Sequence, residues 1–209
     1  MLTKEDGFEL PFHWNFPDAN KYAFAFIALF VFLVVIYSNS FQGALIFDDP
    51  PNITENSNIQ LQSLDWQSIK KTFHQPGTEK LARSFAYFSF AMNFYFHGFD
   101  LLGYHLTNLV IHYLAAVFLF LFIYNTLKLP SLRERYGPSS YSIALLAVVL
   151  WATSPLQVTA VTYIVQRMAS MAGLFYIMAM YFYLKGRMSE KSRNRLIFWG
   201  MCLLSAVLS

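Results

Sequence analysis

The stretch that decides the fold is "LLGYHLTNLVIHYLAAVFLFLFIYNTL", residues 101–127, which contains no Asp, Glu, Lys or Arg. The hydrocarbon core of a bilayer is about 30 Å thick, and a helix needs roughly 17 or more apolar residues to cross it. Residues 101–127 exceed that length. We therefore predict that they form a membrane-spanning helix.

Other apolar runs of similar length lie on both sides of this stretch. Residues 22–47, 141–166 and 168–184 are each long enough to cross, and a further run begins at residue 196 and reaches the last residue, 209. Hydrophobic residues make up 56% of the chain and charged residues 13%, which is outside the balance of soluble domains. We predict an all-α integral membrane protein with about five transmembrane helices, the last incomplete, and expect a longer natural protein.

The charges predict an orientation, because Lys and Arg concentrate in cytoplasmic loops. One basic loop follows the second predicted crossing and another follows the fourth. We therefore expect a cytoplasmic segment at residues 1–21, a transmembrane domain at 22–209 and a large external loop at 43–100. The net charge of +3 gives no reason to expect nucleic acid as a partner. The basic residues are Lys128, Arg133 and Arg135 in the first loop, and Lys185, Arg187, Lys191, Arg193 and Arg195 in the second.

The external loop contains two helical patterns. In "SLDWQSIKKTF", Trp66, Ile69 and Phe73 share one face, and Ser63 is the expected N-cap. In "RSFAYFSFAMNFYFHGFD", residues 83–100, dense Phe and Tyr content is typical of the membrane interface. We predict that this second helix lies in the membrane plane.

Two adjacent acids, Asp48 and Asp49, follow the first apolar run in "FDDPPN". Pro50 and Pro51 restrict the preceding residues to extended conformations. One interpretation is that the acids and prolines only end a helix and open a loop. The other is a functional site, because adjacent like charges at a low-dielectric boundary raise each other's pKa.

Arg167, in "VTYIVQRMAS", is the only charged residue between Arg135 and Lys185. A charge inside a hydrophobic stretch is costly and indicates a function. Alternatively, it lies in an external turn near Pro155 and meets water. If the segment is helical, Tyr163, Arg167 and Ser170 share a face, and a cation flanked by hydroxyls suits a phosphate.

His105, Asn108 and His112 form a polar stripe on the predicted helix 101–127. A metal site is one interpretation. Two His separated by seven residues lie about 10 Å apart along a helix, and no carboxylate accompanies them. Hydrogen bonding between helices is therefore favoured over a metal site.

The order of "FDDPPNI", "RSFAYFSFAMNFYFHGFDLLGYHLTNLVIH" and "SPLQVTAVTYIVQRMASMAGLFYIMAMYFYLKGR" closely resembles the membrane half of the transmembrane and tetratricopeptide-repeat O-mannosyltransferases. It is most similar to their bacterial relatives. This family belongs to the GT-C class of membrane glycosyltransferases. The resemblance implies a GT-C-like fold, a polyprenyl-phosphate-linked sugar as donor, and further helices and repeats beyond residue 209.

The resemblance also implies roles for single residues. Asp48 would be the catalytic base, with Asp49 as its neighbouring acid. Arg83 and Arg167 match arginines that would bind the donor phosphate. The remaining predicted site-lining residues are His105, Tyr163 and Gln166. The stretch "SPLQVTAV" departs from the family, with Ser154 and Thr159 where many relatives have His and an acid. We therefore expect no metal site, while dependence on a divalent metal stays open.

The resemblance implies an enzyme that moves a mannose-like sugar from a polyprenyl phosphate to a hydroxyl acceptor, a protein Ser or Thr, and the predicted orientation puts its site at the external membrane face. The expected location is the bacterial inner membrane in preference to the endoplasmic reticulum, and the expected partners are the bilayer, the lipid-linked donor and the protein acceptor. A non-catalytic membrane subunit or scaffold is the alternative. A transporter fits less well, because its charges would lie near the bilayer midplane.

Overall fold

The computed structural model describes residues 19–73 and 81–209. The described residues are helical, without strands. In chain order the α-helices are α1 Ala19–Tyr37, α2 Asp49–Asn52, α3 Trp66–Thr72, α4 Leu81–His97, α5 Leu101–Leu127, α6 Pro130–Tyr136, α7 Ser140–Ala152, α8 Val158–Thr162, α9 Arg167–Met188 and α10 Ser192–Leu208. Short 3₁₀ helices occupy Ser38–Gln42, Ser57–Ile59, Pro155–Gln157 and Ile164–Gln166. The predicted all-α membrane fold is confirmed.

Among the described residues, three helical segments are long and apolar enough to cross a membrane: Asn20–Gln42, Leu101–Leu127 and Ile164–Met188. A fourth crossing is possible only if α7 and the segment Pro155–Thr162, bent by 55°, form one span. The predicted fifth run is α10, which packs along α9. The chain is thus a membrane protein with three such helices, or up to four, among its described residues.

The first predicted crossing ends earlier than its apolar run. Helix α1 stops at Tyr37, ten residues before Phe47, and a 3₁₀ helix follows. The hydroxyl groups of Ser38 and Ser40 donate to the backbone oxygens of Val35 and Tyr37, at 2.8 and 2.7 Å. Because serine hydroxyls compete for backbone acceptors, they favour turns and helix ends over helix interiors.

The third predicted crossing, residues 141–166, is broken near its middle. Helix α7 ends at Ala152, and Pro155 begins the next 3₁₀ helix, with the Ser154 side chain accepting from the Leu156 N–H. Proline has no N–H to donate and clashes with a preceding helical turn. The helix break therefore follows from Pro155, although the hydrophobic content of the run does not reveal it.

Helix α5 is the centre of the bundle. It begins at Leu101, where the Asp100 side chain accepts from the Leu102 N–H, and it packs against α1, α7 and α9. Helices α5 and α9 run in the same direction, because Arg167 at the start of α9 contacts Tyr104 near the start of α5, and Tyr181 contacts Phe118 further along. The helix starts, and the loop acids with them, therefore lie at one end of the bundle.

The opposite end carries the basic segments. Tyr22 donates to Tyr124 at 2.7 Å, Lys21 lies over the Tyr141 ring, and Lys128 contacts Tyr124. The other residues of the two basic segments lie in α6, in the last turn of α9 and at the start of α10. The separation of the acids and the basic segments to opposite ends of the bundle agrees with the charge pattern of the sequence. Which end faces the cytoplasm stays a prediction. Residues 1–18 of the predicted cytoplasmic segment lie outside the described residues.

The predicted N-cap of the loop helix is wrong. Asp65, and not Ser63, caps α3, because its carboxylate accepts from the Ser68 N–H at 3.0 Å. The helix predicted within residues 83–100 forms as α4, Leu81–His97, and its Phe88 ring stacks on Phe73 of the preceding segment. Its alignment with the membrane plane stays a prediction.

Candidate active site

The two adjacent acids have different environments. Asp49 opens α2, is 1% exposed, and its Oδ2 and Oδ1 atoms accept hydrogen bonds from the backbone N–H groups of Ile46 and Val165, at 3.0 and 2.9 Å. Burial raises the pKa of this carboxyl above its ordinary value, although both backbone hydrogen bonds and the nearby His105 act to lower it. Asp49 therefore joins the first loop to the turn before α9.

Asp48 is exposed, and its carboxylate makes no hydrogen bond to the residues that the structure describes. Its backbone, in contrast, is held on both sides. The Asp48 N–H donates to the Tyr163 hydroxyl at 3.0 Å, and its carbonyl oxygen accepts from the Asn52 side chain at 2.7 Å. Asp48 thus presents a free carboxylate on a fixed backbone.

Phe47, immediately before the acids, has an unusual backbone conformation. Its φ angle is +47°, and it is the non-glycine residue with positive φ among those described. Its side chain is 86% exposed, and its ring meets the Tyr163 ring edge to face at 6.2 Å between centroids. Bulky residues rarely adopt positive φ, and such strain concentrates at functional sites.

Arg167 is completely buried, and all three of its guanidinium nitrogens donate to neutral acceptors. Nε donates to Asn108 Oδ1 at 2.7 Å, and Nη2 donates to the Tyr104 carbonyl oxygen at 2.8 Å. Nη1 donates to Asn93 Oδ1 at 2.6 Å and to the Ser89 hydroxyl at 3.3 Å. Arg167 therefore fastens the start of α9 to α4 and α5.

The expected hydroxyl neighbours of Arg167 are wrong. The Ser170 hydroxyl donates to the backbone oxygens of Ala160 and Gln166, and the Tyr163 hydroxyl accepts from Asp48. The guanidinium instead faces side chains from other helices, and the Phe90 ring lies 4.5 Å from it. The segment before Arg167 is a 3₁₀ turn, so α-helical spacing does not apply across it.

The predicted interhelical hydrogen bonding of the α5 stripe is confirmed. The Asn108 amide nitrogen donates to the carbonyl oxygens of Val161, Tyr163 and Ile164, at 3.3 to 3.4 Å. His112 Nε2 pairs with the carbonyl oxygen of Ala152 at 2.9 Å. Asn108 therefore satisfies the broken backbone between α8 and α9 while it accepts from Arg167.

His105 lies under the first loop. Its Nε2 is 3.4 Å from the carbonyl oxygen of Gly43, and it is close enough to Asp49 to affect that carboxyl electrostatically. A Cβ added to Gly43 would lie 3.2 Å from the imidazole, which explains why the smallest residue stands there. His105 thus supports the loop that carries the acids.

Arg83 is exposed in the first turns of α4. One turn later, the hydroxyl of Tyr87 donates to Asn52 Oδ1 at 2.6 Å, which links α4 to the acid-bearing helix α2. Burial raises the pKa of Tyr87, and the positive charge of Arg83 acts to lower it. Arg83 therefore lies on the side of α4 that contacts α2.

The structure bonds Asp48 to Tyr163 and Asp49 to the neighbouring Val165, and it places His105 near Asp49. Gln166 contributes its backbone oxygen to Ser170. Within residues 19–73 and 81–209, no three His, Cys, Asp or Glu side chains meet as potential metal ligands, and metal independence stays a prediction. Sequence reasoning missed Phe47, whose positive φ has no sequence signal, and the Val165 amide, which no side-chain pattern reveals.

The chain matches no protein-family model, and no solved structure matches it. It is 26% identical to protein O-mannosyl-transferase Tmtc3 of Drosophila melanogaster over 93% of its residues. It is 27% identical to protein O-mannosyl-transferase tmtc2 of Xenopus laevis over 73%, and 23% identical to protein O-mannosyl-transferase TMTC4 of Homo sapiens over 79%.

The chain spans only 23, 18 and 24% of the lengths of these three relatives, in the same order. They are animal proteins and give no support to the expected likeness to bacterial relatives. The identities are low but consistent, and each match covers most of the chain. The chain is therefore homologous, over most of its length, to the transmembrane and tetratricopeptide-repeat family of protein O-mannosyl-transferases.

Proposed function

We propose that the chain is part of a glycosyltransferase that moves a mannose-like sugar from a polyprenyl phosphate to a Ser or Thr hydroxyl of a protein. Relatives named protein O-mannosyl-transferases support the reaction class. The observation that carries the proposal is the free carboxylate of Asp48, held by backbone contacts to Tyr163 and Asn52. A general base needs an accessible carboxylate in a fixed position.

In the proposed reaction the acceptor hydroxyl oxygen attacks the anomeric carbon of the sugar. Asp48 takes the hydroxyl proton as the new carbon–oxygen bond forms. The bond between the anomeric carbon and the phosphate oxygen breaks on the opposite side, and its electron pair leaves with the polyprenyl phosphate. The configuration at the anomeric carbon is inverted. Asp49, whose two oxygens already accept backbone N–H groups, positions the loop that carries Asp48.

The leaving phosphate needs a cation, and Arg83 and Arg167 are the two proposed ones. Arg83 is exposed on the side of α4 that contacts α2, so its guanidinium is free to approach a substrate. Arg167 is buried and would have to exchange its present acceptors to bind phosphate. We therefore assign the phosphate to Arg83 in this conformation. A fixed charge of this kind contributes on the order of 3 kcal/mol to transition-state stabilisation.

The proposed mechanism uses no metal ion. Divalent cations such as Mg²⁺ and Mn²⁺ prefer several oxygen ligands in octahedral geometry. Both carboxylate oxygens of Asp49 accept backbone hydrogen bonds, so Asp48 is left as a single carboxylate at this place. The donor set therefore does not fit a two-carboxylate metal site. We expect transfer to continue in the presence of a chelator.

We place the site on the external face, because the basic segments lie at the opposite end of α5 and α9. A membrane-impermeant maleimide tests this in sealed vesicles, with Cys202 replaced by serine. Glu55→Cys, in the loop, should be labelled from the external side. Glu134→Cys, in α6, should be labelled only after the vesicles are opened. The reverse pattern would overturn the placement. A bacterial inner membrane stays a prediction.

The direct test measures mannose transfer by the full-length protein from a polyprenyl phosphate to a Ser- or Thr-containing peptide. Asp48→Asn should lower turnover by about 100-fold or more, since a general base contributes at least that factor. Asp65→Asn is the matched control, because Asp65 is an exposed acid of the same loop. Unchanged turnover in the Asp48 variant would sink the proposal.

A further inference from the structure

Three neighbouring groups form one cluster at the proposed base: the Phe47 ring, the Tyr163 hydroxyl and the Asp48 carboxylate itself. Phe47 keeps a positive φ although its ring is 86% exposed, so burial of the ring does not compensate for the strained backbone. For L-residues this conformation costs about 1 to 2 kcal/mol. The strain projects an aromatic ring outward directly before Asp48.

Tyr163 supplies the second group. Its hydroxyl oxygen accepts the Asp48 N–H, and its own proton is donated to none of the described residues. Its ring lies edge to face against Phe47. The hydroxyl therefore has a hydrogen available for a further acceptor, next to Asp48, whose exposed carboxylate is the third group. An apolar ring face, one donor and one acceptor thus lie next to each other.

We propose that Phe47 and Tyr163 form the subsite for the pyranose ring of the donor, an inference that rests on the proposed function. A pyranose has an apolar face made of C–H groups and a rim of hydroxyl groups. The C–H face packs on the Phe47 ring, and a sugar hydroxyl accepts from the Tyr163 hydroxyl. Because the base must reach the acceptor oxygen next to the anomeric carbon, the sugar has to lie beside Asp48.

An isoprenoid chain does not fit these groups as well. It has no polar atoms, so it would leave the Tyr163 hydroxyl and the Asp48 carboxylate without partners when it excludes water from them. Binding sites combine an apolar or aromatic surface with a few fixed polar groups, which is the combination present here. The residue before the base therefore recognises the sugar in preference to the lipid.

The experiment compares two probes, a short-chain prenyl phosphate mannose and the same prenyl phosphate without sugar. Their affinities for the full-length protein are measured by calorimetry. Phe47→Leu keeps an apolar side chain but removes the aromatic face, and should weaken binding of the mannose probe about three- to tenfold. Binding of the sugar-free probe should not change. Phe47→Tyr should retain wild-type affinity for both.

Phe96→Leu is the control, because Phe96 is 65% exposed and lies at the end of α4, not next to the acids. It should leave both affinities unchanged. Phe47→Gly should also weaken binding of the mannose probe. Because glycine adopts positive φ without a steric cost, we expect this variant to stay folded, and its thermal unfolding midpoint checks this.

Two results with the Phe47→Leu variant would overturn the subsite. In one, Phe47→Leu leaves both affinities unchanged. In the other, it weakens both probes equally, which would mean that Phe47 contacts the lipid. The measurement needs no acceptor, so it is separate from the test of transfer. If the protein binds the mannose probe through Phe47 but transfers no sugar, the proposed function is refuted and the subsite is retained. If the protein transfers sugar but Phe47→Leu binds the mannose probe normally, the subsite is refuted and the proposed function is retained. A wild-type protein that does not distinguish the probes would refute the subsite.

Discussion

A hydrogen bond of 2.9 Å joins the Asp49 carboxylate to the backbone amide of Val165, 116 positions further along the chain. The contact fixes the first loop against the turn that precedes α9. The neighbouring Asp48, whose backbone is anchored to Tyr163 in the same turn, keeps its carboxylate free. Two identical side chains in adjacent positions therefore differ in environment: the Asp49 carboxylate holds the loop, and the Asp48 carboxylate is free to act as the proposed base.

The first prediction concerns this division. Asp49→Asn replaces one acceptor oxygen with an NH₂ group that faces a backbone N–H, and should lower the free energy of unfolding by about 1 to 3 kcal/mol. Asp48→Asn is the control and should change it by less than about 0.5 kcal/mol, because the side chain is exposed. Thermal unfolding in detergent measures both. Equal stability of the two variants would contradict the structural role of Asp49.

The second prediction is a pH dependence. Burial raises the pKa of Asp49 above its unfolded value of about 3.9. The folded state therefore holds the proton more tightly, and this contribution to stability is present at acid pH and lost as the pH rises through the folded pKa.

The midpoint of thermal unfolding, measured from about pH 3.5 upward, tests that sign. The stability difference between wild type and Asp49→Asn should be largest at the acid end and should narrow as the pH rises. Asp48→Asn serves as the reference for general pH effects. A difference that widens with pH would show that the folded pKa of Asp49 is lowered.

The third prediction separates the two arginines. Arg167→Met leaves the oxygens of Asn93, Asn108 and Tyr104 without their buried donor, and should lower the free energy of unfolding by about 3 kcal/mol or more. Arg83→Met, at an exposed position, should change it by less than about 0.5 kcal/mol while it weakens binding of a prenyl phosphate. Comparable unfolding midpoints for the two variants would contradict the burial of Arg167.

The fourth prediction concerns backbone strain. Phe47→Gly should raise the free energy of unfolding by about 1 kcal/mol, because glycine adopts positive φ without a steric cost. The converse variant is Gly98→Ala, because Gly98 has a φ of +58° and an added Cβ would have nothing within 4 Å of it. This variant should lower the free energy of unfolding by a similar amount. If Phe47→Gly destabilises the protein, the Phe47 ring contributes to folding and the strain argument fails.

The sequence predicts some elements closely and others poorly, for physical reasons. Helix α5 has the predicted bounds, Leu101 to Leu127, since a charge-free run is limited by Asp100 and Lys128. The run 141–166 contains a helix break that hydrophobicity does not reveal, because a hydrophobicity scale takes no account of the missing backbone N–H of Pro155. The N-cap of α3 is Asp65 and not the predicted Ser63. The sequence alone does not distinguish the two positions, because Ser and Asp are both favourable N-cap residues.

The candidate site, like the fold, is predicted by the sequence only in part. The two acids and Arg167 can be identified as candidates from the sequence, because charged residues are energetically costly beside apolar runs. Their partners do not, because Asn93, the Tyr104 carbonyl and the Val165 amide become partners only through tertiary packing. Helical spacing misplaced Ser170 relative to Arg167, since a 3₁₀ turn precedes the arginine.

The order of residues around Arg167 has a consequence for biogenesis. Its acceptors lie in α4 and α5, and both helices are synthesised before α9 leaves the ribosome. Because domains of a nascent chain form from the N-terminus onward, the cation can enter the bilayer against helices that already offer it hydrogen bonds. If α4 and α5 were moved behind α9 in the gene, the arginine would reach the translocon with no acceptors, and integration of its helix would become inefficient.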